Sequence, residues 1–277
     1  MTRFAIATRE ELWLHGRLVE RRLSHGEAIE KDGRIVARDT RDDSLLAACD
    51  AAMEHLRAHV VQDARVRLVA EASTEGVSAT MTVTQHGHSI VTAPEHLDAD
   101  VALLRTAGVP PAGAAASSPP PLVWKNGTGA ILLHEAIGHP REHACEELVL
   151  PQWLEVDIAL RQRRATFRDI PLLRMQHVKA KQTNAPFHLS EERIEILLID
   201  GGAYEPLTDE VTIHIAAADL IEGDAKRRLA PFALTQPRRS IQFLGATGET
   251  LRYPGVICSR EGQELVVGSY APVMVTR

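Results

Sequence analysis

The chain has 277 residues, 44% of them hydrophobic and 25% charged, with a formal net charge of -6. Its length admits a large core and two domains, and its mild acidity excludes the basic footprint of a nucleic-acid binder. No run reaches the roughly 20 apolar residues of a membrane helix. Three cysteines, Cys49, Cys145 and Cys258, are too few and too far apart for a disulfide framework. The opening residues, MTRFAIATREELW, lack the apolar core of a signal peptide. Together these features predict a cytoplasmic protein with reduced thiols.

Residues 1–42 alternate polar and apolar side chains with glycine punctuation, which predicts short strands. Asp43 to Gln62 reads as a helix, because Leu45, Leu46, Cys49, Ala52, Met53 and Leu56 recur at three- and four-residue steps behind an acidic start. His55 and His59 stand one turn apart on it, with nothing nearby to complete a metal site; they read as an exposed face. Val66 to Ala72 and Val77 to Val91 read as strands, with His86 and His88 flanking Gly87 in a hairpin turn. Val109 to Pro121 (VPPAGAAASSPPP) has no period and reads as a semi-rigid linker.

Leu122 to Trp124 is predicted as a strand and Asn126 to Thr128 as a turn, with Thr128 capping a helix that follows. Further strands are expected at Arg193 to Asp200, Glu210 to Ala216, Ser240 to Phe243, Glu264 to Val267 and Val273 to Thr276. In Val211-Thr-Ile-His-Ile215, His214 falls on the face opposite Val211, Ile213 and Ile215 and reads as half-exposed. Arg161-Gln-Arg-Arg164 and Lys226-Arg-Arg228 read as solvated faces. The expected fold class is α+β. A small α/β N-terminal domain (1–107) and a linker (108–120) precede a mostly antiparallel, β-rich C-terminal domain (121–277) that carries the motif helix.

The motif is Ala130-Ile-Leu-Leu-His-Glu-Ala-Ile-Gly-His-Pro140. A catalytic zinc takes three protein ligands and keeps one position open. His134 and His139 are five residues apart. At about 100° per residue, side chains so spaced diverge on a regular α-helix, whereas a spacing of four shares a face. They converge on one ion only if the helix loosens into a π-type turn or ends between them. Gly138 tolerates unusual backbone angles, and Pro140 disfavours a helical His139. The helix is therefore expected to stop or distort at Gly138. Glu135, at the end of an apolar helix, needs a partner, and a zinc-bound water would provide one.

Leu133-His-Glu-Ala-Ile-Gly-His139 resembles the HExxxH signature of the TldD/PmbA family of zinc metallopeptidases. Gly255-Val-Ile-Cys258-Ser-Arg-Glu-Gly262-Gln263, then Val267-Gly268 and Ala271 to Val275, is similar to that family's C-terminal pattern. The resemblance covers roughly residues 120 to 277, with Arg174-Met175 and the strand-rich stretch 190–245 fitting more loosely. It implies His134, His139 and Cys258 as zinc ligands and Glu135 as the catalytic glutamate. Glu142 matches a family glutamate and is expected to orient a ligand histidine. Pro140, Arg141 and His143 depart from the family's Gly-Leu-Glu-Gly sequence. The family's N-terminal domain is also usually much longer, which leaves the substrate class open.

The resemblance implies a zinc-dependent hydrolase of amide bonds in short or unfolded peptides, a metalloprotease in which Glu135 moves the water's proton. Arg141, His143, Tyr204 and Tyr253 are candidate oxyanion donors. The expected partner is a homologous TldE/PmbA-like subunit without the metal motif, in a heterodimer, or a second copy in a homodimer; neither nucleic acid nor membrane is expected. Two rivals are a dedicated amidase that trims a biosynthetic intermediate and a non-catalytic scaffold subunit. A purely structural zinc site would need a fourth ligand.

Overall fold

The structure is a computed structural model. It describes residues 120–164, 171–260 and 263–277, together with the course of six strands within residues 2–92. The predicted helix Asp43 to Gln62, with Cys49, His55 and His59, lies outside the described residues, as do positions 86–87 and most of the Val109 to Pro121 stretch. The chain divides into two compact units. Residues 1–101, 162–172 and 257–266 make up the first, and residues 102–161, 173–256 and 267–277 the second.

The first unit holds a six-stranded sheet in the order β3-β2-β1-β4-β5-β6, antiparallel throughout. Its strands are β1 (Thr2–Leu14), β2 (Arg17–Lys31), β3 (Arg34–Arg38), β4 (Ala64–Ser73), β5 (Gly76–Gln85) and β6 (His88–Thr92). Residues 1–42 thus make two long strands and one short one, rather than several short strands. Gly26 lies inside β2 without ending it, because its pairing with Ile6 in the long β1 ladder outweighs the weak strand preference of glycine. Gln85 pairs with His88 across the expected hairpin position.

A second sheet, of nine strands, is mostly antiparallel and bears a short helical segment. The order runs β12-β11-β10-β7-β15-β9-β8, with β13 paired to β11 and β14 to β15. Its strands are β7 (Leu122–Trp124), β8 (Leu154–Arg164), β9 (Pro171–Gln182), β10 (Glu192–Glu205), β11 (Glu210–Glu222), β12 (Ala225–Leu229), β13 (Phe232–Pro237), β14 (Phe243–Arg260) and β15 (Gln263–Thr276). β8, β9, β12 and β13 add to the expected strands, and β14 shares only Phe243 with the strand expected at Ser240 to Phe243. In β8, Leu154, Val156, Ile158 and Leu160 recur at the two-residue period of a half-buried strand.

β7 is only three residues long, yet every one is buried between β10, its parallel neighbour, and β15, its antiparallel one. Trp124 donates its indole N–H to Thr276 Oγ1 at 2.9 Å, so the one polar atom of a fully buried ring is satisfied. Asn126 and Gly127 then take positive φ (55° and 76°) and turn the chain into the helix. Thr128 occupies the cap position without a capping bond. Its hydroxyl instead donates back to the Lys125 carbonyl at 2.7 Å.

Two charge patterns depart from expectation. Lys226 and Arg228 hold Asp219, which is buried on β11, at 2.9 and 2.6 Å. Antiparallel pairing of β11 with β12 puts these charges together, so Lys226-Arg-Arg228 is more than a solvated face. Ser240 ends a 3-10 turn, Arg238–Ser240, rather than opening a strand. The cause is Arg238, which is buried and donates to Asp209 Oδ1 at 2.7 Å and to the Glu146 carbonyl at 3.0 Å. Val211, Ile213 and Ile215 are buried with His214 exposed, as predicted.

A tight crossing at Gly245 makes a direct test of the packing. A methyl group there would lie 2.1 Å from the Pro186 carbonyl oxygen, which is backbone and has no side chain to rotate away. That same carbonyl accepts the Ala246 N–H at 3.0 Å. Gly245→Ala is expected to destabilise the fold by about 1–3 kcal/mol, read as a lower urea midpoint with an unchanged m-value. No helix among the described residues is long and apolar enough to cross a membrane.

Candidate metal centre

The helical segment comprises α1 (Gly129–Leu133), a π-type turn (His134–Gly138) and α2 (His139–Glu142). Such short pieces are not stable alone. Ala130, Ile131, Leu132 and Leu133 are all buried, and the segment packs on β10 and β11. Burying each branched aliphatic side chain is worth about 1.5–3 kcal/mol. That burial anchors the polar residues that follow.

The helix distorts but does not stop. The His139 N–H donates to the His134 carbonyl, an i→i+5 bond that closes the wide turn between the two histidines. Residues five apart thereby come to lie one above the other, as residues four apart do on an α-helix. Their rings meet edge to face with centroids 4.7 Å apart. Gly138 does not use its conformational freedom, since its φ and ψ are -64° and -58°. What matters is its missing side chain, because a Cβ there would lie 2.4 Å from both Sδ and Cε of Met175. Pro140 falls in the first turn of α2, where a missing N–H is harmless, and His139 stays helical (φ -61°, ψ -42°).

Cys258, on β14, completes the cluster: a nitrogen of His134, a nitrogen of His139 and the Cys258 sulfur all lie within 4.8 Å of one another. His134 and Cys258 are buried, and His139 is 17% exposed at its side chain. Neither ring nitrogen of His134 has a hydrogen-bond partner. Burial, with the His139 and Arg174 charges, pushes the His134 pKa well below the ordinary imidazole value, so the ring is neutral and carries a donor lone pair. Two imidazoles and a thiol are a donor set that fits zinc.

Glu135 is 3% exposed. Its Oε2 lies 3.6 Å from His139 Nε2. Burial raises its pKa to about 7, with His139 opposing and Glu142 adding to the rise. β10 passes directly beside it: a Cβ at Gly202 would lie 2.7 Å from Glu135 Cγ and 2.9 Å from Oε1. Gly202→Ala is expected to push the carboxylate out of place. Activity should fall at least tenfold while metal content is retained, a split that kinetics and elemental analysis would read together.

Glu142 joins the helix to β9. Its Oε2 is 2.8 Å from His139 Nδ1, and its Oε1 accepts the Met175 N–H and lies 3.6 Å from Arg174 Nε. Burial pushes its carboxyl up, but the His139 bond and charge, the Met175 N–H and the Arg174 charge hold it below its ordinary value.

The other candidates make contacts of their own. His143 is exposed, with its ring 6.2 Å from that of Tyr204. Arg141 Nε pairs with Glu147 at 3.1 Å. The Tyr204 hydroxyl lies 3.0 Å from Asp209 Oδ1 and 3.4 Å from Cys145 Sγ. The buried Tyr253 hydroxyl both donates to and accepts from the Ile199 backbone at 3.1 Å, which ties β14 to β10. Gly202 was not foreseen from the sequence. Strand spacing offers no sign that one glycine of β10 faces a carboxylate on a distant helix.

No protein-family model and no curated protein matches the chain. Among solved structures, it is similar to TldE from Thermococcus kodakarensis at 9% identity and a TM-score of 0.49, over 99% of this chain and 96% of that one. It is also similar to a candidate modulator of a DNA gyrase from Thermotoga maritima MSB8, at 8% identity and a TM-score of 0.41, over 100% of this chain and 95% of that one.

Proposed function

We propose that this protein is a zinc-dependent hydrolase of amide bonds, acting on short or unfolded peptides. The observation that supports it most is the meeting of His134, His139 and Cys258 within 4.8 Å, with both His134 ring nitrogens unpartnered, next to a buried Glu135. His134, His139 and Cys258 would hold the ion. When bound, zinc acidifies a water and polarises the scissile carbonyl.

The chain's own groups do the rest. Glu135 takes a proton from the attacking water and returns it to the departing amine. Without the ion, burial holds its pKa at about 7. A cation on the adjacent imidazoles draws that value down, since it favours the carboxylate. Glu142 holds the His139 ring through Nδ1. β10 limits the room around Glu135, so its carboxylate points one way. We further propose that the chain works beside a homologous subunit without the metal motif, as the resemblance of its two motifs to those of the TldD/PmbA family implies.

Protein purified without chelator, assayed for zinc and incubated with casein, tests the reading. Bound zinc together with general, chelator-sensitive cleavage is the expected result. Bound zinc without casein cleavage would replace the peptidase with an amidase dedicated to a small substrate.

A further inference from the structure

We propose that Arg174 is a positioning residue of the metal centre, fixing the Glu142 carboxylate that in turn fixes the His139 ring. The inference rests on the metal reading above.

Arg174 lies on β9, where burial follows the strand period through Leu172 and Arg174 before Met175 turns inward as well. It is 1% exposed and ranks among the largest fully buried side chains. A buried guanidinium carries a desolvation penalty that a leucine at the same position would avoid. Glu142, whose side chain is wholly buried, is a charge that it faces. At Oε1 the carboxylate accepts the Met175 N–H and faces the Arg174 guanidinium, whose Nε lies 3.6 Å away in an ionic contact longer than a hydrogen bond, while Oε2 lies 2.8 Å from His139 Nδ1.

Direction along this chain of contacts follows from chemistry. A carboxylate accepts and does not donate, so the proton between Glu142 and His139 sits on Nδ1. The lone pair of the ring is then on Nε2, the nitrogen 3.6 Å from Glu135. Turning the Glu142 carboxylate would turn the ring with it and move that lone pair. Outer partners of this kind set ligand orientation in metal sites. Met175 acts on the same turn from the same strand, its side chain packed where a Cβ of Gly138 would be.

The test is a double-mutant cycle on zinc affinity, measured by competition with a chromophoric chelator, with Tm values of the metal-free proteins alongside. Arg174→Gln and Glu142→Gln are each expected to weaken zinc binding about tenfold to a hundredfold. In the Glu142→Gln background, Arg174→Gln is expected to cause no further loss, because its action passes through Glu142. Cobalt-loaded R174Q and E142Q should show the same altered visible spectrum. A merely structural Arg174 predicts losses that multiply in the double variant, and that result overturns the inference, as does wild-type affinity in R174Q. Should R174Q fail to fold because Glu142 is left buried and unpaired, the comparison of E142Q with the double variant still decides. Wild-type protein that takes up no zinc overturns the metal reading and this inference with it.

Discussion

Glu135→Gln is expected to lower kcat/KM by about 10²- to 10⁴-fold while zinc stays bound at the wild-type stoichiometry. Glutamine keeps the shape of the side chain in the narrow space beside Gly202, so the three ligands are undisturbed. It removes only the ability to take a proton. In the wild-type enzyme the glutamate must be ionised to act, so activity rises with pH through its pKa; the acidic limb should lie at or below about 7, because a bound cation can only lower the value. A Glu135→Gln protein with undiminished turnover would remove Glu135 from the mechanism.

The same substitution has a stability signature of opposite sense. Burial raises the Glu135 pKa from 4.5 in the unfolded chain to about 7 in the folded one. Between those values the folded state binds the extra proton, so stability falls as pH rises through that window. Above pH 7 the metal-free protein carries the full penalty of a buried carboxylate. Metal-free Glu135→Gln should therefore be more stable than the metal-free wild type at pH 8, by about 1–3 kcal/mol, and indistinguishable from it near pH 4. Urea titrations at the two pH values would show it. Groups placed for chemistry rather than stability commonly behave this way.

Cys258→Ala is expected to weaken zinc binding by more than the roughly hundredfold that changes outside the ligand shell produce. Cys258 is buried, and its sulfur is one of three donor atoms within 4.8 Å. Losing it leaves two imidazoles, one fewer ligand than a catalytic zinc site uses. The metal-free fold should lose only about 1 kcal/mol, as for deletion of one methyl-sized group from a core. Added zinc should then raise the Tm of the wild type, because it binds the folded state alone, and leave that of Cys258→Ala nearly unchanged. Cys145→Ala is the control. Its sulfur contacts the Tyr204 hydroxyl and should not affect the zinc response.

Much of the site is legible in residues 130–140. The apolar lead-in Ala130 to Leu133 predicts a buried helix, and that helix is buried along its length. The five-residue spacing predicts that a regular helix would separate the histidines, and a π-type turn brings them together. The physical role of Gly138 was not legible, because its φ is ordinary and its constraint is a side chain from β9, a strand the sequence pattern did not disclose. Gly202 escaped for the same reason, and Arg174-Met175 stood out only as a loose family match with no role attached. Each matters through one neighbour, and the sequence does not say which residues become neighbours when β10 and β9 take their places in the sheet.

Local spacing and side-chain chemistry were thus decided by the sequence alone: a helix that must loosen between His134 and His139, alternation along β11, and a strand at Leu122–Trp124. Those features follow from interactions a few residues long, where periodicity and backbone sterics dominate. The tertiary structure decided which distant groups meet, bringing Cys258 to the histidines, Arg174 to Glu142 and Gly202 to Glu135. Such meetings depend on strand order and register across a nine-stranded sheet, and no local propensity encodes them.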